Sequence, residues 1–352
     1  MQSSERLLAR ISAQGRTWLV TGVAGFIGSH LAEALLRAGQ EVVGLDNFAT
    51  GKPENLLFIK NKLSEKQWRH FRFLEGDIRS LDDCRAACRG VELVLHQAAL
   101  GSVPRSIDDP IASVESNVNG FLNMLVAARD AGVERVVYAS SSATYGDHPA
   151  LPKVEPVIGK PASPYGMTKY VNELTAGIFA GCYGFPSVGL RYFNVFGPRQ
   201  DPNGAYAAVI PAFFSTLILD KPSVIYGEGD TARDFCYIDN VVQANLLAAT
   251  AADPAALNEA YNVACGEQTS LLELFDLVKA ALAPRLPRVR HARPVHRETR
   301  RGDIKLSLAD ISKARRLLGY EPAWPVRRGL EKTAEWYLAN LLPAGEEKVA
   351  HV

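Results

Sequence analysis

The sequence predicts an α/β protein, in which a doubly wound parallel sheet is followed by a smaller, mixed α/β lobe. Apolar strands alternate with helices from Thr17 onward, a glycine-rich turn joins the first strand to the first helix, and the alternation loosens beyond residue 194. Strands that are apolar on both faces and alternate with helices are typical of parallel sheets covered by helices on both sides.

The individual elements follow from the spacing of the apolar residues. Continuous apolar or β-branched runs predict strands at TWLVTG (17–22), EVVGLD (41–46), FRFLEGD (71–77), VELVLHQAA (91–99), VERVVYASSS (133–142) and SVGLRYFN (187–194). Helical periodicity predicts helices at GFIGSHLAEALLRAG (25–39), DDCRAACRG (82–90), ESNVNGFLNMLVAARDAG (115–132) and PYGMTKYVNELTAGIFAGCYG (164–184).

The second lobe begins with the Gly- and Pro-rich loop PRQDPNGAYAAVIP, and FCYIDNVVQANLLAAT (235–250) reads as a helix that returns to the first lobe. We therefore expect a first lobe at 17–190 plus 236–264 and a second at 191–235 plus 265–343. An N-terminal extension at 1–16 and a tail at 344–352 complete the chain, and we expect both ends to be frayed.

Composition and charge disfavour several classes of protein. With 39 basic and 38 acidic residues the net charge is +1, so we expect no nucleic-acid or membrane partner. The sequence has no secretory signal and no run near the roughly 20 apolar residues of a membrane span. Five cysteines, an odd number without C-x-x-C spacing, favour reduced thiols and a cytoplasmic location. Cys84 and Cys88 have helical i, i+4 spacing but no accompanying His or acid pair, so we expect no metal.

The turn TGVAGFIG predicts a dinucleotide site of the Rossmann type. Gly22, Gly25 and Gly28 lie between the first strand and the first helix, where glycines let backbone N–H groups approach a pyrophosphate. Asp46 ends the second strand 18 residues after Gly28, where an acid would bind the adenosine ribose. Because Asp46 would repel a 2′-phosphate and Asn47 follows it, we expect NAD rather than NADP. The alternative for Asp46 is a carboxylate that only caps a turn.

Further cofactor contacts are expected at the carboxyl ends of the next strands, although each of these residues could equally have a packing role. The residues expected at the cofactor, besides the glycines and Asp46, are Phe26, Ile27, Asn47, Asp77, Ile78, Gln97, Ala98, Ala99, Asn117, Tyr165, Lys169 and Phe193.

Tyr165 and Lys169 lie four residues apart, and so on one face of a helix, just after Ser163 as N-cap and Pro164 as first helical residue. A phenol has a pKa near 10 and is a poor base at neutral pH. A neighbouring ammonium and an oxidised nicotinamide would favour the phenolate, which makes Tyr165 a candidate general base. The alternative is a surface tyrosine beside a solvated lysine.

These motifs together resemble a known family. TGVAGFIG, Asp46, the serine cluster 140–142 and YGMTK (165–169) are similar to the extended short-chain dehydrogenases/reductases. RYFNVFGPRQ (191–200), RDFCYIDN (233–240) and RRGD (300–303) resemble the nucleotide-sugar 4-epimerases. QAALGSVPRS, SSSATYGDHP and DPNGAYAAVIP resemble the bacterial UDP-N-acetylhexosamine 4-epimerases in particular.

The resemblance implies a catalytic set and an NAD-dependent epimerisation. Tyr165 would remove the proton from the sugar 4-hydroxyl while NAD accepts the C4 hydride, and Ser141 would hydrogen-bond O4. Lys169 would hold the nicotinamide ribose and lower the pKa of Tyr165. The hydride would then return to the other face of the 4-keto sugar.

The resemblance also implies a UDP-sugar site in the second lobe. Arg233 and Arg300 would bind the diphosphate, Asn194 would hydrogen-bond it, and Asp303 would contact the uridine ribose; the alternative for Arg300 is a solvated basic stretch. The substrate contacts expected in total are Ser102, Ser141, Ser142, Tyr165, Asn194, Ala208, Val209, Tyr226, Arg233, Arg300, Asp303 and Ser307.

Departures from related motifs narrow the substrate. Dehydratases carry an Asp-Glu pair where this chain has Ser142 and Ala143, so the proton donor for elimination is missing. Ser307 and Ala208 replace larger residues of the plain hexose enzymes and favour an N-acetylated sugar, whereas Ala143 lacks a hydroxyl that the relatives usually have. The 6-carboxylate sugar stays an alternative to the neutral one.

Three further expectations accompany this interpretation. Arg105 or Lys305 could serve a sugar carboxylate, and a homodimer is expected through helices around 114–131 and 165–181. The remote functional alternatives are a non-catalytic NAD-binding protein and a net dehydrogenase or reductase.

Overall fold

The structure is a computed structural model that describes residues 2–202, 208–298 and 305–342. The strands are β1 (Thr17–Thr21), β2 (Glu41–Asp46), β3 (Phe71–Glu75), β4 (Leu93–His96), β5 (Arg135–Ser141), β6 (Ser187–Tyr192), β7 (Val195–Phe196), β8 (Val224–Tyr226), β9 (Ala232–Arg233), β10 (Cys236–Tyr237), β11 (Glu259–Val263), β12 (Thr269–Ser270) and β13 (Val295–Arg297).

The α-helices are α1 (Gln2–Ser12), α2 (Phe26–Arg37), α3 (Pro53–Lys62), α4 (Glu65–Trp68), α5 (Leu81–Cys88), α6 (Val103–Asp108), α7 (Pro110–Val114), α8 (Gly120–Asp130), α9 (Pro164–Tyr183), α10 (Val209–Ile218), α11 (Ile238–Ala249), α12 (Leu271–Leu282), α13 (Ser312–Leu318) and α14 (Val326–Leu341). A π turn at Glu115–Asn119 joins α7 to α8, and 3₁₀ turns lie at Ser142–Tyr145, Pro254–Ala256 and Pro287–His291.

Seven of the strands in the described ranges form one parallel sheet, in the order β11-β6-β5-β4-β1-β2-β3. The chain order reverses between β1 and β4, which pair in parallel with Trp18 opposite Leu93. At such a reversal the connections leave in opposite directions, and a crevice opens at the carboxyl ends of the strands. The predicted Rossmann-like α/β fold is confirmed.

Helices cover both faces of this sheet. Trp18 and Val20 point into a core that also holds residues of α2 and α11, whereas Leu19 points into a second core with residues of α5, α8 and α9. This alternation follows from the two-residue period of a strand and explains why all three side chains are fully buried. None of the helices in the described ranges combines the length and apolar content that a bilayer crossing needs.

Cys84 and Cys88 belong to the second core. Both are fully buried, and burial raises the pKa of each thiol to about 12. Cys84 donates to the carbonyl oxygen of Ile78 at 3.3 Å, and Cys88 contacts the sulfur of Met124 at 3.7 Å. The two thiols therefore act as small apolar side chains here.

Two local predictions are wrong. The fraying predicted for the first dozen residues does not apply to Gln2–Ser12, because α1 buries Leu7 and Ile11 and the Ile11 carbonyl accepts a hydrogen bond from Gln40 at 3.1 Å. The helix predicted from residue 235 begins at Ile238, because Cys236–Tyr237 pairs with β7 as a short strand.

Candidate active site

In the turn between β1 and α2, the backbone packs so closely at two glycines that a side chain there would clash. Gly22 has φ +66°, and a Cβ atom there would lie 2.8 Å from the backbone nitrogen of Ala98. A Cβ atom on Gly28 would lie 2.1 Å from the carbonyl oxygen of Gly22. The turn therefore brings the amino end of α2, which begins at Phe26, against the sheet edge. Unpaired N–H groups at a helix start favour an anion, so the cradle fits a dinucleotide pyrophosphate.

Asp46 closes the same turn from β2. Its carboxylate accepts backbone hydrogen bonds from Ala24 at 2.9 Å and Phe48 at 2.8 Å, and burial raises its pKa. The turn-capping role considered from the sequence is therefore real. Each carboxylate oxygen has a second lone pair, so a ribose hydroxyl could also be accepted.

Asp77 and Asn47 lie together beyond the ends of β2 and β3. Asn47 donates to Asp77 at 2.9 Å, and the Arg79 guanidinium donates to both carboxylate oxygens of Asp77. The hydrogen bonds from Arg79 lower the pKa of Asp77 to about 2. Ile78, in contrast, is buried in the second core, where its side chain fills the space beside Gly120.

The residues predicted at the end of β4 mainly organise the loop that follows it. Asn117 accepts from the Leu100 nitrogen at 2.8 Å and donates to the Leu100 oxygen at 3.1 Å. Gln97 donates to Asn245 at 3.1 Å and accepts from the Tyr192 hydroxyl at 3.0 Å. The Ala98 nitrogen donates to Thr21 at 3.2 Å.

Tyr165 and Lys169 lie on the first turns of α9. The helix starts at Pro164, where the Ser163 hydroxyl accepts the Gly166 N–H at 3.1 Å. Lys169 is 3% exposed and donates to the carbonyl oxygen of Ala139 at 2.8 Å. Its ammonium lies 5.9 Å from the centre of the Tyr165 ring, and burial lowers its pKa to about 8.

The contacts within the protein do not give the lowering of the Tyr165 pKa by Lys169 that the resemblance implies. Burial raises the pKa of Tyr165, and the opposing effect comes from a hydrogen bond with Ser141 rather than from Lys169. Ser141, at the end of β5, also accepts the Ala143 N–H at 3.1 Å, which fixes the serine between the strand and the next turn. Ionisation of Tyr165 at neutral pH therefore needs additional positive charge.

These side chains border one cleft of about 970 Å³ at the carboxyl end of the sheet. Its lining joins residues expected at the cofactor to residues expected at the sugar. The predicted residues that line it are Phe26, Ile27, Gln97, Ala99, Ser141, Ser142, Tyr165, Lys169, Phe193, Asn194, Arg233 and Ser307. The cleft therefore brings Phe26 and Ile27, beside the glycine turn, together with Tyr165. The residues expected at the cofactor that are not among its described lining residues are Gly22, Gly25, Asp46, Asn47, Asp77, Ile78, Ala98 and Asn117.

Other predicted substrate contacts are not brought to this cleft. Among the described residues that line it, Ser102, Ala208, Val209 and Tyr226 do not appear, and Ser102 instead caps α6 by accepting the Arg105 N–H at 3.2 Å. Arg300 and Asp303 lie outside the described residues.

Asn194 lines the cleft, but its amide is already engaged. It has φ +30° and donates to the Asp234 carbonyl oxygen at 3.0 Å. Of the two cations considered for a sugar carboxylate, Lys305 lines the cleft and forms an ion pair with Asp230 at 2.5 Å. Arg105 is not among the described lining residues.

Sequence reasoning missed one wall of the cleft. The segment that follows the serine cluster contributes Asp147, His148, Pro149, Leu151 and Lys153. The available signals were the proximity of this segment to Ser141 along the chain and the place of Asp147, His148 and Pro149 in the motif SSSATYGDHP. Tyr145, Val195, Gln200 and Leu306 were also missed.

Comparison with known proteins agrees with this geometry. Residues 18–264 match the family described as the NAD dependent epimerase/dehydratase family. A putative UDP-glucose 4-epimerase of Methanocaldococcus jannaschii is 36% identical over 92% of this chain and 98% of its own.

Two solved structures are also similar. The UDP-N-acetylglucosamine 4-epimerase of Methanobrevibacter ruminantium, in complex with UDP-N-acetylmuramic acid, has a TM-score of 0.84 and 34% identity over 93% of this chain and 99% of its own. The UDP-glucuronic acid 4-epimerase of Bacillus cereus, in complex with UDP-glucuronic acid and NAD, has a TM-score of 0.80 and 30% identity over 92% and 99%. Sequence, fold and site together show that the chain belongs to the NAD dependent epimerase/dehydratase family.

Proposed function

We propose that this protein is a UDP-N-acetylhexosamine 4-epimerase, which interconverts UDP-N-acetylglucosamine and UDP-N-acetylgalactosamine. The observation that carries the proposal is the convergence of Ser141, Tyr165 and Lys169 in one cleft with Ser307. Ser142 and Ala143 line the same cleft at the positions where dehydratases hold acids. Since neither side chain can protonate a leaving hydroxyl, the site supports oxidation and reduction without loss of water.

The chain's own groups have defined tasks in this reaction. NAD, the cofactor of the family, would supply the reversible hydride chemistry at C4 when bound beside Tyr165 and Lys169. Tyr165 accepts the proton of the 4-hydroxyl and gives it back, and the Ser141 hydroxyl holds O4 through a hydrogen bond. Lys169 places a positive charge beside Tyr165 and the nicotinamide ribose, which favours the phenolate once the cofactor charge adds to it.

The nucleotide would be held by the second lobe. Arg233 lines the cleft and suits the diphosphate, because a guanidinium is permanently charged and donates to two oxygens at once. Asn194 donates one N–H of its amide to Asp234, and its second N–H can donate to the diphosphate. Arg300 and Asp303 keep the roles that the motif RRGD implies.

The neutral N-acetylated sugar is favoured by two features of the cleft. Ser307 contributes a small side chain to the cleft lining, and the Lys305 charge is already paired with Asp230. The similar M. ruminantium protein is named for UDP-N-acetylglucosamine. The B. cereus protein, named for UDP-glucuronic acid, keeps the 6-carboxylate sugar as the second candidate.

The experiment that tests this proposal compares purified enzyme on UDP-N-acetylglucosamine and on its 6-carboxylate, with each product identified by NMR. The proposal predicts a higher kcat/KM for the neutral sugar. Conversion of the uronate alone would contradict it.

We further propose that the enzyme is a homodimer that pairs the exposed faces of α6 to α9. Ile111 is 71% exposed, Ile107 62% and Ile178 61%, and Leu174 and Leu122 are also exposed. Large apolar side chains on neighbouring helices favour a protein partner. Light scattering should give twice the chain mass, and Ile178→Lys should give the monomer.

A further inference from the structure

Lys153 connects the two walls of the sugar end of the cleft. Its nitrogen donates to the Leu308 oxygen at 2.7 Å, and its own oxygen accepts from Asp310 at 2.9 Å and from Asn262 at 2.9 Å. The backbone of Lys153 is therefore fixed against the segment that carries Ser307. Its side chain lines the cleft together with His148, and the two residues follow the 3₁₀ turn at Ser142–Tyr145 by eight and three positions.

The Lys153 side chain is buried but has no counter-ion in the described part of the chain. The residue is 9% exposed, its ammonium donates to the His148 carbonyl oxygen, and no described carboxylate lies within ion-pair distance of it. Lys305, the other cleft-lining lysine of this wall, is 68% exposed at its side chain and has Asp230 as partner. Lys153 is therefore a buried, cleft-lining ammonium without a described counter-ion, as Lys169 is beside Tyr165.

His148 adds a second polar group at the same place. Its Nδ1 is buried and has no hydrogen-bond partner among the described residues. Buried polar groups in native proteins are satisfied by protein, water or ligand, and a buried ammonium without a counter-ion is costly. A ligand that brings an anionic oxygen to this point would satisfy both groups.

The position of Lys153 argues for the sugar rather than the diphosphate as the source of that anion. The diphosphate is assigned to Arg233, whereas Lys153 belongs to the loop that continues from Ser141 and Ser142, where the reacting sugar carbon must lie. A carboxylate is the anionic substituent that sugars of this class carry, and its oxygens accept bonds from an ammonium and an imidazole at once.

We propose that Lys153 determines whether a charged sugar is accepted: its ammonium binds the carboxylate of an acidic UDP-hexosamine, so the enzyme uses this sugar as a second substrate. This inference rests on the proposed 4-epimerase function. The neutral sugar needs no charge at Lys153, and its reaction depends on the catalytic set instead.

The test compares Lys153→Met and Lys153→Arg with the wild type, using UDP-N-acetylglucosamine and UDP-N-acetylglucosaminuronate. Methionine keeps the length and removes the charge, so we expect kcat/KM for the uronate to fall about 10- to 100-fold, the loss of one hydrogen bond to a charged group. The neutral sugar should change less than about 3-fold, and arginine should keep the uronate activity within about 5-fold of the wild type. Lys305→Met, which removes the paired lysine, is the matched control and should leave the ratio of the two sugars unchanged.

Calorimetric titration of the same proteins with the uronate gives a second readout that does not depend on turnover, and thermal melts show that each variant is folded. An unchanged ratio in Lys153→Met, or a wild-type enzyme that converts the neutral sugar but neither binds nor converts the uronate, would overturn the role of Lys153. A wild-type enzyme that converts neither sugar would instead overturn the epimerase proposal, and the role of Lys153 with it.

Discussion

Glu173 accepts two hydrogen bonds from the guanidinium of Arg191, at 2.9 Å and 2.7 Å, one helical turn beyond Lys169. Both side chains are nearly buried, 11% and 5% exposed, and the Ser140 hydroxyl also donates to Glu173 at 2.5 Å. Arg191 donates in addition to the Glu155 carbonyl oxygen at 3.0 Å. This ion pair ties β6 to α9 and to the residue before Ser141.

Glu173→Gln should therefore destabilise the protein strongly, because it leaves the Arg191 charge buried without its partner. Removing one member of a buried pair costs about 3–5 kcal/mol, measurable by urea denaturation. The control is Glu335→Gln, which breaks the exposed pair with Lys332 and should cost less than about 1 kcal/mol. Equal effects of the two substitutions would mean that the Glu173 pair contributes no more than a surface pair.

Gly28→Ala should disrupt the cofactor cradle, since the added methyl would meet the Gly22 carbonyl oxygen at 2.1 Å. Overpacking of this kind costs about 1–3 kcal/mol and would also move α2 away from the turn. We expect lower stability and little NAD in the purified protein, assayed by release after denaturation. Gly15→Ala, where no atom lies within 4 Å, is the control. Normal NAD content in Gly28→Ala would contradict the proposed position of the pyrophosphate.

Ser307→Tyr should shift the choice of sugar. Because Ser307 lines the cleft on the wall held by Lys153, a tyrosine there would fill the space proposed for the acetamide. We expect kcat/KM for UDP-N-acetylglucosamine to fall by a factor on the order of 10 to 100, with UDP-galactose changed less than about 3-fold. Ser307→Ala should retain both activities. If the tyrosine variant loses both sugars equally, the position supports the fold rather than the specificity.

The titration of Asp239 should make the free energy of unfolding depend on pH. Burial, with the nearby Glu33 charge, raises its pKa to about 6 against the opposing effect of Arg199. Between the ordinary value of 3.8 and about 6 the folded state binds more protons than the unfolded state, so this group makes stability fall as pH rises through that window.

Asp239→Asn lacks this titration. The free energy of unfolding of the variant minus that of the wild type should therefore be larger at pH 7 than at pH 4, so that the variant gains stability relative to the wild type as pH rises. Urea denaturation at the two pH values measures this difference. A difference between the two proteins that stays constant with pH would contradict the raised pKa.

The sequence predicts those parts of the site whose geometry depends on residues close together in the chain. The glycine turn follows from φ at Gly22 and contact at Gly28, and the Tyr165–Lys169 pair follows from one helical turn. The cleft wall formed by Lys153 depends on its pairing with Ala309, more than 150 residues away, which no local pattern encodes. Burial, a property of the whole fold that no local pattern encodes, raises the pKa of Tyr165 against the hydrogen bond from Ser141.

The same distinction applies at the cofactor end. Asn117 and Gln97 stand where dinucleotide contacts are expected, and their amides also hold Leu100 and Asn245. The sequence shows that a residue carries an amide, but not which group that amide will bind in the fold. The N-terminal helix was missed for a similar reason, since only tertiary packing buries Leu7 and Ile11.

The most direct test of the 4-epimerase function is turnover of UDP-N-acetylglucosamine by the purified holoenzyme without added NAD. The proposed function predicts UDP-N-acetylgalactosamine with no accumulation of NADH, and a rate that falls about 10²-fold or more in Tyr165→Phe while UDP still binds. Release of NADH in proportion to the sugar consumed, or a near-normal rate in Tyr165→Phe, would contradict it.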